Sequence, residues 1–577
     1  MQRRVGMKQR IKLPLQIAGF ALAFLLAGQV MAASLLGEGF EKFFKEKVRF
    51  GGFAENITGL SVGREHFQFS TSNRFVMNRL TFQPETNINF HRRVKLFISW
   101  RFVVEPRYSM ETKIRRRSVA PAGSGGSLPG DFYNETKGVP WEAVLDLSPS
   151  DNLQIRLGRQ FISWGETDGL RILDVINPRD NTMFAPAAPN VFTLDETRIP
   201  QWGLRMWYTV RPVSNTIFEF FANPGFDPKK KRVDDISPGN DIGDGKADGD
   251  ARFGRWSAQA ETRIPFGRLF ANPLGPVPVV VPITARRYPD AGDNWKIGAR
   301  FTHNFGALNV GLGYIWGFNP QGLDMVFKKK GGVGCLPIPG PLQGDPTRGC
   351  GLFPPGAPAP VGFVPTAVRL DLINDRTSIF AGQFNYPLGT YYGIPVKTAL
   401  RGEVAFYPSK PFNISKFPGP TGLRAGPDPN YSDSIVERNN LRYSLGFDRT
   451  TFIPFLHPDD PWRAFRMSFQ IFQSVILGHK DGIRNFFNAG RINKVQTALT
   501  FRVNTGYLGD TIIPDFFILY EPLGNWVINP AVSYAPPWNE RIKVSLVAAI
   551  YNGTKFTGLT GFFTQKDTVF LKLRYQF

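Results

Sequence analysis

Apolar and polar residues alternate with a period of two along most of this chain, and no other feature limits its fold so strongly. Leu153, Ile155 and Leu157 alternate with Gln154 and Arg156; Trp202, Leu204, Met206 and Tyr208 alternate with Gln201, Gly203 and Arg205. Trp295, Ile297, Ala299 and Phe301 oppose Lys296 and Arg300, while Leu400, Val404 and Phe406 oppose Lys397, Arg401 and Glu403. Leu441, Tyr443, Leu445 and Phe447 stand against Arg442, Phe465, Met467 and Phe469 against Arg466, and Leu499, Phe501 and Val503 against Arg502. Successive side chains of a strand point to opposite faces, so each run is a strand with one apolar and one polar side. No stretch of helical period interrupts the series, which makes the chain all-β.

The apolar faces need a cover, because 52 phenylalanines and an aromatic fraction of 14% are a heavy load for a chain with formal charge +22. The opening "MQRRVGMKQRIKLPLQIAGFALAFLLAGQVMAAS" has a basic start, a short apolar run and small residues near Ala32, the pattern of a secretory signal over residues 1–32. Five basic residues lie in that leader, so the mature charge falls to +17. Export leaves anionic lipid or anionic solutes as partners and removes nucleic acid. After Ala32 no run reaches the roughly 18 apolar residues of a membrane helix.

In hydrocarbon every backbone donor and acceptor must be paired, so strands cross a membrane only as a closed sheet. Short turns such as "HRR" and "YNGTK" alternate with long Gly/Pro/Asp-rich excursions, among them 111–140, 168–200, 227–250, 322–365 and 409–438. This asymmetry fits an outer-membrane barrel. The final "VFLKLRYQF" sets Val569, Leu571, Leu573, Tyr575 and Phe577 on one face, as a closing strand with an interfacial aromatic would. It also resembles the C-terminal signature of bacterial outer-membrane proteins. The expected organisation is a signal peptide over 1–32, a short segment over 33–50 and one transmembrane β-barrel over 51–577, with sixteen to twenty strands and eighteen preferred. A barrel of that size encloses an aqueous channel unless something plugs it. Ser34 to Lys47 mixes Leu35, Leu36, Phe40, Phe43 and Phe44 with charges, which suits either a short amphipathic helix at the barrel mouth or a frayed terminus.

If the apolar faces meet lipid, then Arg156, Arg205, Lys296, Arg300, Lys397, Arg401, Arg442, Arg466, Arg502, Lys543, Lys572 and Arg574 face inward, with few acids beside Glu403 and Asp448. Such a lumen concentrates anions. The competing reading is that loop carboxylates brace these cations and leave no selectivity. The candidate constriction set is Arg156, Arg159, Arg205, Arg300, Arg401, Arg442, Arg466 and Arg502, with Glu166 bracing it. Strict alternation puts Arg159 on the lipid side with Leu157, so it reaches the lumen only through a bulge or at the rim.

Cys335 and Cys350 lie in one Gly/Pro-rich loop and suit a single disulfide, with two free thiols as the alternative. Asp241, Asp244, Asp248 and Asp250 are weak calcium candidates, since their spacing misses the EF-hand pattern and a solvated loop explains them equally well. The five histidines, at 66, 91, 303, 457 and 479, are not tied by sequence to a nucleophile or an acid. Neither an enzyme nor a cofactor is expected. The composition favours a porin-like outer-membrane channel for small anionic or amphipathic solutes. The alternative is a non-conducting barrel that partners a transport or assembly complex, ahead of an outer-membrane enzyme; oligomeric state stays open.

One segment stands apart, "LGRQFISWGETDGLRILDVINPRDN", a strand followed by a Pro-centred turn and a long excursion. Its charges, Arg159, Glu166, Asp168, Arg171, Asp174, Arg179 and Asp180, alternate in sign and suit an ion-pair net that folds the excursion into the pore. The segment resembles the signature of the DUF1302 family at Gly158, Arg159, Gln160, Trp164, Gly165, Glu166, Asn177 and Pro178. That resemblance implies an outer-membrane barrel of a Gram-negative bacterium. It also implies an association with transport systems, including inner-membrane exporters of the resistance-nodulation-division class.

Overall fold

The computed structural model describes residues 45–62, 75–104, 140–177, 188–191, 193–198, 200–210, 215–224, 283–285, 295–318, 326–332, 335–339, 361–365, 368–373, 376–391, 394–414, 435–483, 491–553, 558–561 and 567–577. Within them, eighteen antiparallel strands close into one barrel. They are β1 (Val48–Ser61), β2 (Phe75–His91), β3 (Val94–Ser99, resuming at Phe102–Val104), β4 (Glu142–Leu147), β5 (Leu153–Gln160) and β6 (Gln201–Val210). Next come β7 (Thr216–Asn223), β8 (Lys296–Phe305), β9 (Leu308–Phe318), β10 (Arg376–Tyr391), β11 (Ile394–Asn413) and β12 (Ile435–Phe452). The series ends with β13 (Ala464–Ile476), β14 (Val495–Asn504), β15 (Ile512–Glu521), β16 (Asn525–Tyr534), β17 (Ile542–Gly553) and β18 (Thr568–Gln576).

Every strand pairs with its neighbours in sequence, and β1 pairs with β18 to close the ring, Glu55 opposite Arg574 and Ile57 opposite Lys572. Closure leaves no unpaired sheet edge. Both parts of β3 pair with β2, and the interruption lies opposite Pro84, which accepts the Trp100 N–H at 3.0 Å and has no N–H to return.

Connections from even to odd strands are short, as at 92–93, 148–152, 211–215, 306–307 and 392–393. Most connections from odd to even strands are long, as at 105–141, 161–200, 224–295 and 319–375, the exception being the tight turn at 522–524 between β15 and β16. In an outer-membrane barrel the short side is periplasmic and the long side extracellular. The "YNGTK" stretch sits on the long side: Tyr551–Gly553 finishes β17 and opens the connection 554–567. Short strands at Ile283–Ala285, Val326–Gly332, Cys335–Pro339, Val361–Pro365 and Val368–Ile373 form two small sheets separate from the barrel sheet. Only residues 45–47, a helical turn, are described from the segment before β1.

The outward faces carry the alternating apolar residues, and they are open to the surroundings: Phe218 is 49% exposed, Leu312 59% and Phe380 52%. A continuous apolar band around a closed barrel has lipid as its solvent. The architecture is that of a closed outer-membrane β-barrel.

The inside departs from strict alternation. Inward-facing Phe221 (β7), Ile315 (β9), Ile379 (β10), Tyr407 (β11), Phe472 (β13) and Phe517 (β15) are buried in a single apolar core within the extracellular half of the lumen. Their partners are Ile162, Trp164, Ile172, Leu173, Val175 and Ile176 of the 161–200 connection. Apolar side chains therefore face inward wherever this loop covers them. Full burial of a large apolar side chain contributes roughly 1.5–3 kcal/mol, so several such contacts hold the loop inside the barrel.

Candidate functional site

The 161–200 connection folds into the barrel and touches most of its wall. Its outgoing limb, residues 161–177, follows β5, within which Gly158 has φ +123° and a Cβ would stand 1.9 Å from the Ala143 carbonyl oxygen. No residue with a side chain fits that position. Asn177 closes the limb at its base: its Oδ1 accepts the Ile162 N–H at 2.7 Å and its Nδ2 donates to the Gln160 carbonyl at 3.3 Å. The side chain thus does the work of a backbone turn.

Trp164 anchors this limb to the barrel wall. It is buried, lies edge-on to Phe221 at a centroid distance of 5.4 Å, and its Nε1 donates to Glu219 at 3.0 Å. The Arg300 guanidinium stacks over its ring at 5.2 Å. Gly165 follows because a Cβ there would meet the Asp174 backbone nitrogen at 2.9 Å. Glu403 of β11 then accepts the backbone N–H groups of Glu166 and Leu173, the latter at 3.1 Å. Lys296 of β8 donates to the Ile176 carbonyl at 2.8 Å. Within the loop, Asp174 holds Arg171 at 3.0 Å and Arg198 at 2.8 Å, tying the two limbs together.

The returning limb, described over residues 188–191, 193–198 and 200, is tied to the wall by polar contacts. Asn190 donates its backbone N–H to Asn529 at 3.0 Å and its side-chain amide to Asp515 at 3.3 Å, and its Oδ1 accepts from Arg502 at 3.1 Å. A single helical turn, α1 (Leu194–Thr197), follows with Thr193 and Glu196 forming a reciprocal capping box. Glu196 also meets Lys572 at 3.1 Å and Arg574 at 3.2 Å on β18. Both cations are shared with Glu55 of β1, at 3.2 and 3.7 Å. Burial acts to raise the Glu196 carboxyl, but Lys572, the Thr193 N–H and Arg574 outweigh it and hold the group below the ordinary carboxylate range.

The arginines marked out by alternation are mostly braced. Arg156 pairs with Asp146 at 2.6 Å, and Arg205 and Arg300 each hold Glu219 at 2.6 Å. Arg401 holds Asp168 at 2.5 Å and Asp448 at 2.7 Å and also donates to the Glu166 carbonyl; Arg502 holds Asp515 at 2.6 Å. Arg442 donates to Asn440 at 2.9 Å and lies 5.0 Å over the Tyr407 ring. Arg159 is buried where β5 meets the loop and donates to the Pro140 and Pro200 carbonyls at 2.5 and 3.2 Å, so it ties down chain ends. The Glu166 carboxylate accepts from Asn385 at 3.3 Å, while its backbone meets Glu403 and Arg401. Arg466 is exposed on the inner face of β13.

Beneath Asp168, toward the periplasmic ends of β11 to β14, lies a cavity of about 550 Å³. Its lining includes four inward cations, Lys397, Arg401, Arg466 and Arg502, against the two carboxylates Asp168 and Asp448, while Arg449 borders it from the alternate face of β12.

Alternation did not single out Glu219, Asp168, Asp515 or Glu196 as bracing carboxylates. Glu219 had a local signal, being the one acid in the apolar "TIFEFFAN" strand. The others meet partners 233 or more residues away or across a strand pair, which no local pattern encodes. Arg179 and Asp180, the four aspartates from Asp241 to Asp250, and Cys350, hence the expected Cys335–Cys350 bridge, lie outside the described residues. Among the described residues no cluster of His, Cys, Asp and Glu could hold a metal ion. His457 bonds Thr505 at 2.9 Å, His479 donates to the Ile492 carbonyl at 2.8 Å, and His303 meets Thr216 at 2.6 Å, all at turns or strand ends.

Among solved structures, the barrel is similar to OccAB4 of Acinetobacter baumannii, at 7% identity and a TM-score of 0.43, over 92% of this chain and 98% of that one. It is also similar to the outer membrane protein opdK of Pseudomonas aeruginosa, at 10% identity and a TM-score of 0.39, over 92% and 99%. A search of curated proteins finds no match to the sequence. The family model for a protein of unknown function, DUF1302, matches residues 66–577. The chain belongs to the DUF1302 family.

Proposed function

We propose that the protein is an outer-membrane channel of the porin type that passes small anionic or amphipathic solutes. The observation that carries this reading is the cavity beneath the loop, with four inward cations against two carboxylates on its walls. A water-filled space with that bias raises the local concentration of anions and repels cations. Bracing lowers this bias at Arg156, Arg205, Arg300, Arg401 and Arg502, because each spends its charge on a neighbouring carboxylate. The expected selectivity is therefore weak and resides in the periplasmic half.

Planar-bilayer recording under a potassium chloride gradient tests the reading. A conducting pore whose reversal potential favours chloride supports it. A cation-selective reversal potential overturns it.

One observation favours a second reading, in which the barrel conducts nothing and serves as a partner of a transport or assembly complex. The apolar core formed by Phe221, Tyr407, Phe517 and the outgoing limb fills part of the extracellular lumen. Absence of conductance in the same recordings selects this alternative.

A further inference from the structure

The arginines around the periplasmic cavity are not equivalent. Arg401 is neutralised by two carboxylates and Arg502 by one. Arg466 stands between them on the sheet and, among the described residues, makes no ion pair and no hydrogen bond. Its cross-strand neighbours are Thr450 on one side and Asn504 on the other, both on the same inward face of the barrel. Pro387 and Ala399 add apolar surface to the cavity.

We propose that Arg466 is the receiving group of a binding subsite for small monocarboxylates, set in the cavity on the periplasmic side of the loop. This deepens the channel reading above and rests on it. A planar guanidinium offers paired donors that match a carboxylate. Thr450 and Asn504 are placed to donate to the same anion from either side. Lys397 is engaged over the Phe452 ring at 4.1 Å and Arg401 and Arg502 by carboxylates, and a dianion brought into the cavity meets Asp168 and Asp448. The apolar surface at Pro387 and Ala399 suits a short hydrocarbon or aromatic body behind the carboxylate.

The test uses the full chain in detergent, titrated by calorimetry with benzoate and separately with sulfate, beside bilayer recordings of the same preparation. Benzoate binds saturably and sulfate far more weakly. Arg466→Gln weakens benzoate by at least about tenfold, the loss expected for one charge-assisted hydrogen-bonded contact. Arg466→Lys retains an intermediate affinity because it keeps the charge and loses the fork. Since Arg466 has no partner to lose, both variants keep the heat-modifiable mobility of the folded barrel. Benzoate affinity unchanged in Arg466→Gln overturns the subsite, as does equal or stronger binding of sulfate. A conducting, anion-selective pore that does not bind benzoate overturns the subsite and leaves the channel reading standing. Absent conductance overturns the channel reading, and with it any part for the subsite in solute passage.

Discussion

Residues 161–177 leave the barrel wall and residues 188–200 return to it within one loop, yet the outgoing limb lies among aromatic rings while the returning limb is tied by charge. The first is secured by Trp164, Phe221 and Phe517 in a dry core, with Asn177 closing its base. The second is secured by Asn190 against Arg502 and Asp515 and by Glu196 against Lys572 and Arg574. Apolar packing is insensitive to salt and nearly so to pH, whereas ion pairs at partly wet sites weaken with both. The limbs should therefore yield under different conditions.

The largest expected effect lies in the outgoing limb. Trp164→Ala removes the anchor, leaves Glu219 without its indole donor and opens a cavity beside Phe221; a loss of about 3–5 kcal/mol is expected, read as a lower urea midpoint for the folded barrel. If its unfolding midpoint matched that of the natural chain, the apolar anchoring of this limb would be disproved. Next, Glu196→Gln keeps the size of the side chain and removes its charge from Lys572 and Arg574. The expected loss is about 2 kcal/mol, with the returning limb becoming accessible to protease while the outgoing limb stays protected.

Acid gives a milder version of the same change. Because Glu196 is held below the ordinary carboxylate range, its contribution is fully present above that range and is lost as pH falls through its folded value. Lowering the pH should release the returning limb before the outgoing one, as followed by proteolysis, and Glu196→Gln should abolish that step. The smallest effect sharpens the comparison most. In the double variant the two losses should add to within about 0.5 kcal/mol, since the anchors share no partner. A larger interaction energy would mean that Asp174, which pairs with both Arg171 and Arg198, couples the limbs.

The barrel was legible in the sequence because lipid demands an apolar exterior at every second position. Leu157, Trp202, Phe380 and Leu571 announce the strand faces without reference to any distant residue. The dry core was not legible for the same reason: inward Phe517 follows outward Phe516 in "PDFFILYE", and two adjacent aromatics read as noise in an alternating pattern. The 158–178 segment stood out through its glycines, tryptophan and Asn-Pro pair, but its task as a clamp depends on Asn177 reaching back to Gln160 and Ile162. Likewise the inward arginines could be placed from alternation, while their partners could not. Asp168 meets Arg401 only once the loop has crossed to β11, 233 residues farther along the chain.

Glu196 sits where the first and last strands join. Lys572 and Arg574 belong to β18, Glu55 belongs to β1, and the loop carboxylate completes a four-charge bridge over the junction. Seating the inner loop thereby reinforces closure of the cylinder: neither the zipped seam nor the seated turn has its full set of counter-charges until the other is in place.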